Sequence, residues 1–206
     1  IAGWTGRDRA AMEAHIAELE ELGVARPART PIFYRVSARR LTTDTVLEAV
    51  GDGSSGEAEF VIANIDGELW VGTGSDHTDR VAEAHGITLS KQMCDKPMAP
   101  ALWRFDDVAA HWDSLRLRSW IIEDGARVLY QDGPVVAMLA PEDLMARFAA
   151  EDDDGGVGPG DIMMGGTLPA IGGVRPSARF ELELADPVLN RQIAFGYDIV
   201  SLPVHG

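Results

Sequence analysis

The first regular pattern of apolar and polar residues lies near the start of the chain. Between residues 8 and 23, apolar side chains recur every three or four positions among Glu and Arg, at Ala11, Met12, Ile16, Leu19 and Leu22. This spacing places them on one face of a helix, and Gly23 is a residue type that commonly ends helices. The pattern therefore predicts an amphipathic helix over residues 8–23.

Most of the remaining chain carries strand patterns. Residues 32–36 form an extended run after two prolines, and residues 180–184 alternate strictly between apolar and acidic side chains. Similar patterns predict strands at 115–122, 127–131, 135–139 and 193–202, and helices at 79–85, 103–112 and 141–150. The predicted fold class is α+β, mainly β, with short helical connections.

Composition and charge narrow the class of protein. The 206 residues are 46% apolar, which is enough to bury a core, and no linker divides the chain, so we expect a single domain over 1–206. A formal charge of −15 without a Lys/Arg cluster argues against nucleic acid and anionic membranes as partners. Since no apolar run reaches about 18 residues and the lone Cys94 cannot form an internal disulfide, we expect a cytoplasmic protein.

Two glutamates close together indicate a metal site. Glu57 and Glu59 are two positions apart in a strand-like segment, so both carboxylates would leave the same face of the strand and repel each other. A hard divalent cation such as Mg²⁺ or Mn²⁺ would relieve that repulsion. Asp76 supplies a third carboxylate, and Lys91 follows what is predicted to be the end of a buried strand, where an ammonium needs an anionic partner.

Other polar residues have simpler interpretations beside the functional ones. Asp79 is as well suited to cap the next helix as to serve a site. His15 and Glu18 lie three apart on one helical face, and taken alone they indicate a surface pair more than a catalytic dyad. The glycine-rich segment 160–173 would let backbone approach a ligand and places the Thr167 hydroxyl at its edge, but it lacks the spacing of nucleotide-binding motifs.

Read in order, these motifs resemble those of the fumarylacetoacetate hydrolase superfamily over nearly the whole chain. The correspondences, in chain order, are His15 with Glu18, residues 31–34, Glu57 with Glu59, Asp76 with Thr78 and Arg80, Lys91, and Gly160-Asp161 through Thr167-Leu168-Pro169. The sequence is especially similar to an uncharacterised bacterial branch carrying Ser-Asp-His-Thr-Asp-Arg and Ser-Lys-Gln. It departs from the family where Gln92 replaces a common Ser, where Leu168 interrupts Gly-Thr-Pro, and in the longer first helix, which leaves Glu13 or Glu21 as alternatives within the dyad.

The resemblance implies a fold and a set of roles. The fold would be a mixed β-sandwich roll with residues 1–30 as a helical lid segment, in a homodimer or larger assembly with residues 169–179 as a subunit contact. One Mg²⁺ or Mn²⁺ would be held by three carboxylates, Glu57, Glu59 and Asp76. Lys91 and Arg80 would stabilise an enolate, Gln92 and Thr167 would bind substrate, and His15, oriented by Glu18, would activate water.

The implied reaction is hydrolysis of a carbon–carbon bond in a small 2-oxo or 2,4-dioxo acid of the acylpyruvate kind. Decarboxylation, hydration and tautomerisation are alternatives, because each passes through the same enolate. A non-catalytic module that binds a structural cation is a further alternative. A metal-dependent oxygenase is less consistent with the sequence, because such sites need imidazole ligands and only His77 lies near the carboxylates.

Overall fold

The structure is a computed structural model that describes residues 1–21, 26–151 and 155–205. It is mainly β, as the sequence predicts. Its strands, in chain order, are β1 Ala2–Gly3, β2 Ile32–Phe33, β3 Leu41–Thr42, β4 Val46–Val50, β5 Ser54–Ser55, β6 Ala58–Ile65, β7 Glu68–Ser75, β8 Thr78–Asp79, β9 Lys96–Pro97, β10 Trp103–Arg104, β11 Arg116–Glu123, β12 Ala126–Pro134, β13 Ile162–Thr167, β14 Arg179–Asp186 and β15 Arg191–Leu202.

The helices are short and lie between the strands. They are α1 Arg9–Glu21, α2 Arg80–Glu83, α3 Ile87–Met93, α4 Phe105–Ala109 and α5 Pro141–Glu151. The predicted first helix is confirmed over 9–21, where Asp8 accepts hydrogen bonds from the first-turn amides of Ala10 and Ala11, while its predicted end at Gly23 lies outside the described residues. No helix in the described ranges is long and apolar enough to cross a membrane.

Two sheets enclose the main core. One has the strand order β12-β11-β14-β15-β4, with only the β15–β4 pair parallel, and the other has the fully antiparallel order β10-β7-β6-β13. Alternate residues of β14 are buried, and Leu182 and Leu184 meet Phe60 and Ile62 of β6 in the same apolar cluster. The two sheets therefore pack face to face around a common core, as in a β-sandwich.

Strand β6 is buried on both of its faces. Phe60 and Ile62 point into the main core, while Val61 joins Met98 and Met164 in a second apolar cluster on the other side. An Asp66-Gly67 turn with positive φ at both residues connects β6 to β7. At the opposite end of this hairpin, the first residues of β6 are buried, and Glu59 is one of them.

Two predicted strands are wrong. Residues 87–90, predicted as the end of a buried strand, belong to helix α3, where Leu89 is exposed and the Ser90 hydroxyl bonds back to the carbonyl of Ile87. Residues 135–139 contain a 3₁₀ turn, Val135–Ala137, instead of a strand. In both places the apolar run is short, and so short a run does not distinguish a strand from a helical turn.

The predicted helix at 103–112 is shorter than expected. Only its middle part is helical, as α4; strand β10 precedes α4, and a 3₁₀ turn, Trp112–Ser114, follows it. The helices predicted at 79–85 and 141–150 are confirmed as α2 and α5. Cys94 is buried, and burial raises the pKa of its thiol.

Candidate metal site

Three carboxylates converge at the open end of the β6–β7 hairpin. Glu57 precedes β6, Glu59 lies within β6, and Asp76 follows β7 directly. Because the antiparallel register places Glu59 opposite Gly74 and Ala58 opposite Ser75, the start of β6 meets the end of β7. The three side chains each offer an oxygen, and these oxygens all lie within 4.8 Å of one another.

The cluster lies mostly inside the protein. Asp76 is 0% exposed and Glu59 is 2% exposed, while the Glu57 side chain retains 20% of its surface. One oxygen of Glu59 accepts a 2.8 Å hydrogen bond from the amide of Gly166, and the Asp76 amide donates to the Glu57 carbonyl at 3.0 Å. Backbone from two hairpin strands and from β13 therefore fixes the arrangement of the carboxylates.

Gly166 is required at this position for two reasons. Its φ of +101° is a conformation that side-chain-bearing residues rarely adopt, and a Cβ there would lie 1.9 Å from the Thr5 hydroxyl. The glycine thus lets the β13 backbone reach Glu59. The sequence predicts that this segment approaches a ligand, and in the structure its backbone approaches the carboxylate of Glu59.

The electrostatics of the cluster favour a bound cation. Burial, reinforced by the charge of Asp76, raises the pKa of Glu59 to about 8, and burial also raises the pKa of Glu57. Each charged glutamate is therefore unfavourable in this environment unless positive charge is added. Three oxygen donors with two destabilised negative charges fit a hard divalent cation such as Mg²⁺ or Mn²⁺.

Asp76 differs from the two glutamates because two buried lysines neutralise it. Burial alone would raise its pKa, but Lys91 and Lys96 outweigh that effect and lower the pKa. Lys91 donates to one Asp76 oxygen, and the Lys96 ammonium lies 3.2 Å from the other while also donating to the His77 carbonyl. The predicted anionic partner of Lys91 is therefore Asp76, although the lysine lies on helix α3 and not on a strand.

Lys96 is a site residue that sequence reasoning missed. It follows Asp95 and directly precedes the apolar run Pro97-Met98-Ala99, and it is 2% exposed. A lysine at the start of an apolar run is the signal that could have identified it, because a buried ammonium requires an anion.

Arg80 contacts the cluster through Glu57. Its Nη2 atom lies 3.1 Å from a Glu57 oxygen, its Nη1 atom donates to Glu83 at 2.9 Å, and its Nε atom donates to the Ser55 hydroxyl at 2.7 Å. Asp79 beside it caps α2, accepting hydrogen bonds from two first-turn amides, so its structural interpretation is confirmed.

The polar atoms of Gln92 and Thr167 are engaged by the protein; Thr167 pairs with Glu59 between β13 and β6, and Gln92 follows Lys91 on α3. The Gln92 amide donates to the carbonyl of Arg35 at 3.0 Å and accepts from the amide of Ser37 at 3.2 Å. The Thr167 hydroxyl donates to the carbonyl of Ala58 at 2.8 Å and accepts from Gln131 at 2.7 Å. In this state both side chains hold neighbouring segments in place.

The predicted dyad lies on α1. His15 and Glu18 both belong to that helix, but their side chains, like that of Glu21, lie outside the described part of the structure. Of the alternatives, Glu13 forms an exposed ion pair with Arg26.

A buried polar network behind the cluster was not predicted. Its hydrogen bonds join Ser54, His77, Tyr197 and Ser75. Burial, with smaller contributions from nearby cations, lowers the pKa of His77 to about 3, and burial raises the pKa of Tyr197. Both nitrogens of the neutral His77 ring are engaged by hydroxyls, so the ring does not face the carboxylates as a metal ligand would.

A cavity of about 280 Å³ lies beside the cluster. One of its lining residues, Lys96, contacts Asp76, and the ring centroid of another, Tyr34, lies 5.5 Å from the Lys91 ammonium. The other lining side chains are largely apolar and include Phe33, Leu41, Phe148, Ile162 and Met163. The cavity has room for a small organic acid.

Comparisons with known proteins give a family and a fold. A family model described as a protein of unknown function (DUF2848) matches residues 2–197. No curated protein matches the sequence.

Among solved structures, Cg1458 is similar with a TM-score of 0.66 and 16% identity over 98% of this chain and 74% of that chain. A hexagonal crystal form of 2-keto-3-deoxyarabinonate dehydratase is similar with a TM-score of 0.67 and 16% identity over 98% of this chain and 72% of that chain. The 2-keto-3-deoxy-D-arabinonate dehydratase complexed with magnesium and 2,5-dioxopentanoate is similar with a TM-score of 0.63 and 15% identity over 84% of this chain and 64% of that chain. These likenesses confirm the predicted fold class, a mainly β fold of the fumarylacetoacetate hydrolase type.

Proposed function

The chain belongs to the DUF2848 family, and we propose that it is an enzyme that acts on a small 2-oxo acid with one divalent cation held by Glu57, Glu59 and Asp76. The observation that carries this proposal is the convergence of the three carboxylates beside a cavity, with Lys91 and Lys96 buried against one of them. Buried titratable groups with displaced pKa values in a cleft are typical of functional sites. A similar fold binds magnesium and 2,5-dioxopentanoate, which supports a cation and an oxo acid here.

The cation and the charged residues around it would have different roles. The cation would supply Lewis-acid polarisation of the 2-oxo group. Lys91 would stabilise the negative charge that develops on the substrate as an enolate forms, because its ammonium is buried where charge interactions are strong. Arg80 would hold Glu57 in position and add positive charge at the edge of the cluster.

Hydrolysis of a carbon–carbon bond is the first reaction we propose. It needs a base that activates water, and we assign this role to His15, oriented by Glu18, when the lid segment covers the substrate. Water would add to the distal carbonyl, the carbon–carbon bond would break, and the departing enolate would take up a proton. Gln92 and Thr167 are proposed to bind substrate if they exchange their present partners for it.

Loss of water from the substrate is the second candidate reaction. The observation that favours it is the similarity to a dehydratase. The His15→Ala variant distinguishes the two reactions. Hydrolysis of an acylpyruvate should fall by about 100-fold or more, whereas loss of water from a 2-keto-3-deoxy acid, which needs no activated water, should persist. Equal loss of both activities would contradict the assignment of His15.

The primary test is metal binding, which does not depend on knowing the substrate. We expect the wild type to bind one Mn²⁺ or Mg²⁺ by calorimetry, and more tightly with oxalate present. Glu57→Gln with Glu59→Gln should lose that binding, whereas the control Glu48→Gln, an exposed glutamate on β4, should keep it. A wild type that binds neither metal would overturn the proposal.

A structural cation without catalysis makes a different prediction. In that case chelation lowers the melting temperature, but oxo acids do not change it. The enzyme proposal predicts further stabilisation by oxalate or pyruvate only when metal is present, because a ligand that binds the native state raises its stability.

A further inference from the structure

We infer that Tyr197 and His77 are positioning residues of the metal site, which hold Glu57 and Asp76 in place through a buried hydrogen-bond network. This inference rests on the proposed function, because it concerns the same carboxylates. It assigns a role to the strand β15, which contributes no carboxylate to the cluster. It also accounts for a histidine whose ring points away from the predicted metal ligands.

The network is continuous. The Ser54 hydroxyl lies 2.9 Å from His77 Nε2, and His77 Nδ1 lies 2.9 Å from the Tyr197 hydroxyl. The Tyr197 hydroxyl donates to the Ser75 hydroxyl at 2.8 Å, and the Glu57 amide donates to the same oxygen at 3.2 Å. All four side chains of the network are buried, so water does not compete for these hydrogen bonds.

Each hydrogen bond of the network can be assigned one donor and one acceptor. Since the Tyr197 hydroxyl donates its proton to Ser75, its oxygen accepts from His77 Nδ1–H. A neutral imidazole then has an acceptor at Nε2, which takes the Ser54 proton. The network therefore fixes both the tautomer and the orientation of the ring.

Two members of the network, Ser75 and His77, reach the metal ligands through backbone. Ser75 accepts from the amide of Glu57, and His77 is bonded to Asp76 along the chain. Lys96 closes the arrangement by donating to the His77 carbonyl while its ammonium also contacts Asp76. A displacement of the His77 ring would consequently move the Asp76 carboxylate.

Tyr197 links this turn to the other sheet. It lies on β15 and is fully buried in the main core, whereas Ser75 ends β7. The five-stranded sheet thus fixes the position of ligands that the four-stranded sheet carries. Partners that orient metal ligands in this way typically contribute 10–100-fold to metal affinity or activity.

The test compares two buried tyrosines. Tyr197→Phe removes only the network hydroxyl, and Tyr130→Phe is the matched control, because Tyr130 is equally buried in the same core and its hydroxyl accepts from the Arg175 amide. We expect Tyr197→Phe to weaken Mn²⁺ binding about tenfold and Tyr130→Phe to change it less than twofold. Melting temperatures of the metal-free proteins should fall by similar amounts, which separates positioning from general stability.

Each outcome has one meaning. Unchanged Mn²⁺ affinity in Tyr197→Phe, with binding intact in the wild type, overturns the inference and leaves the proposed function standing. Equal weakening in both variants also overturns it, because the effect would then follow stability alone. Absence of Mn²⁺ binding by the wild type instead rejects the proposed function. If Tyr197→Phe does not fold, Ser54→Ala provides the same test from the other end of the network, with weakened Mn²⁺ binding expected and unchanged binding overturning the inference.

Discussion

At the scale of single residues, the unusual feature is that two buried lysines share one aspartate. Lys91 and Lys96 each approach a different oxygen of Asp76, so the loss of one ammonium leaves the carboxylate paired with the other. That redundancy makes Lys91 available for chemistry without leaving Asp76 as an isolated buried charge. It also makes the contribution of Lys91 to activity separable from its contribution to stability.

Lys91→Met keeps most of the side-chain volume and removes the charge. We expect kcat on the active oxo acid to fall by about 100-fold or more, since a preorganised positive group near developing negative charge contributes on that order. Folding and Mn²⁺ affinity should be largely retained, because Lys96 still neutralises Asp76. Steady-state kinetics and calorimetry measure the two quantities, and an unchanged kcat would remove Lys91 from the mechanism.

A second residue-scale prediction concerns pH and lies outside the metal site. Asp186 is buried and accepts hydrogen bonds from His111, Arg191 and the amides of Val188 and Leu189. Burial would raise its pKa, but these donors outweigh burial and lower the pKa. Because the folded pKa is below the unfolded value, near 3.9, this stabilisation is present above that pH and is lost as pH falls through the folded pKa.

Asp186→Asn should therefore lower the free energy of unfolding at pH 7 by roughly 1 to 3 kcal/mol, since it weakens several buried hydrogen bonds. The difference from wild type should shrink as pH falls below about 4, because the unfolded wild type then takes up a proton that the folded protein binds only at lower pH. Denaturant titrations at pH 7 and pH 3 measure this. The exposed Asp198→Asn is the control, and a constant difference across pH would contradict the explanation.

At the scale of elements, the glycine-rich strand β13 explains how the site is closed on one side. Its Gly166 amide holds Glu59, and the backbone there adopts a conformation that only glycine accommodates beside Thr5. We expect Gly166→Ala to destabilise the fold by about 3 kcal/mol or more, because positive φ and a steric clash combine. It should also weaken Mn²⁺ binding by displacing Glu59.

Gly160 offers a matched control on the same segment. Its φ of +91° is similar, but nothing lies within 4 Å of a Cβ at that position. Gly160→Ala should cost only about 1 kcal/mol, the strain of the backbone alone, and leave Mn²⁺ affinity unchanged. Thermal unfolding and calorimetry of the two variants give the comparison, and equal effects would show that the contact with Glu59 is unimportant.

The elements also show how far the sequence could predict the site. The two-residue spacing of Glu57 and Glu59 was sufficient to place them on one face, and hairpin pairing then brought Asp76 to them. Lys96 and Tyr197 were not predictable in the same way, because they reach the cluster through tertiary packing between elements far apart in the chain. The alternation of apolar and polar residues also gave a wrong prediction at helix α3, because its short Ile-Thr-Leu-Ser run is equally compatible with a strand.

At the scale of the whole molecule, the two sheets contribute differently to the site. The four-stranded sheet carries the carboxylates, and the five-stranded sheet supports them from behind through the core and the hydroxyl of Tyr197. Residues 169–179 connect the two sheets, because they run from the end of β13 to the start of β14. A contact between subunits at this connection would therefore join both layers of the fold.

The connection that we predict to contact a second subunit is held in place by its own hydrogen bonds. Arg175 holds the loop by donating to the carbonyls of Ile171 and Gly173 and by pairing with Glu123. The loop nevertheless leaves Ile171 49% exposed and Val174 54% exposed. Two exposed apolar side chains on a braced loop are suited to contact with a second copy of the chain.

We therefore expect a homodimer or larger assembly by light scattering, which Ile171→Glu with Val174→Glu converts to a monomer, because carboxylates in the contact would be desolvated and would repel across a symmetric interface. The control pair Val188→Glu and Leu189→Glu lies in the turn between β14 and β15, with side chains 57% and 50% exposed. The control should keep the assembly, since exposure alone does not make an interface. Dissociation by the control pair only, or a monomeric wild type, would contradict the assignment of residues 169–179.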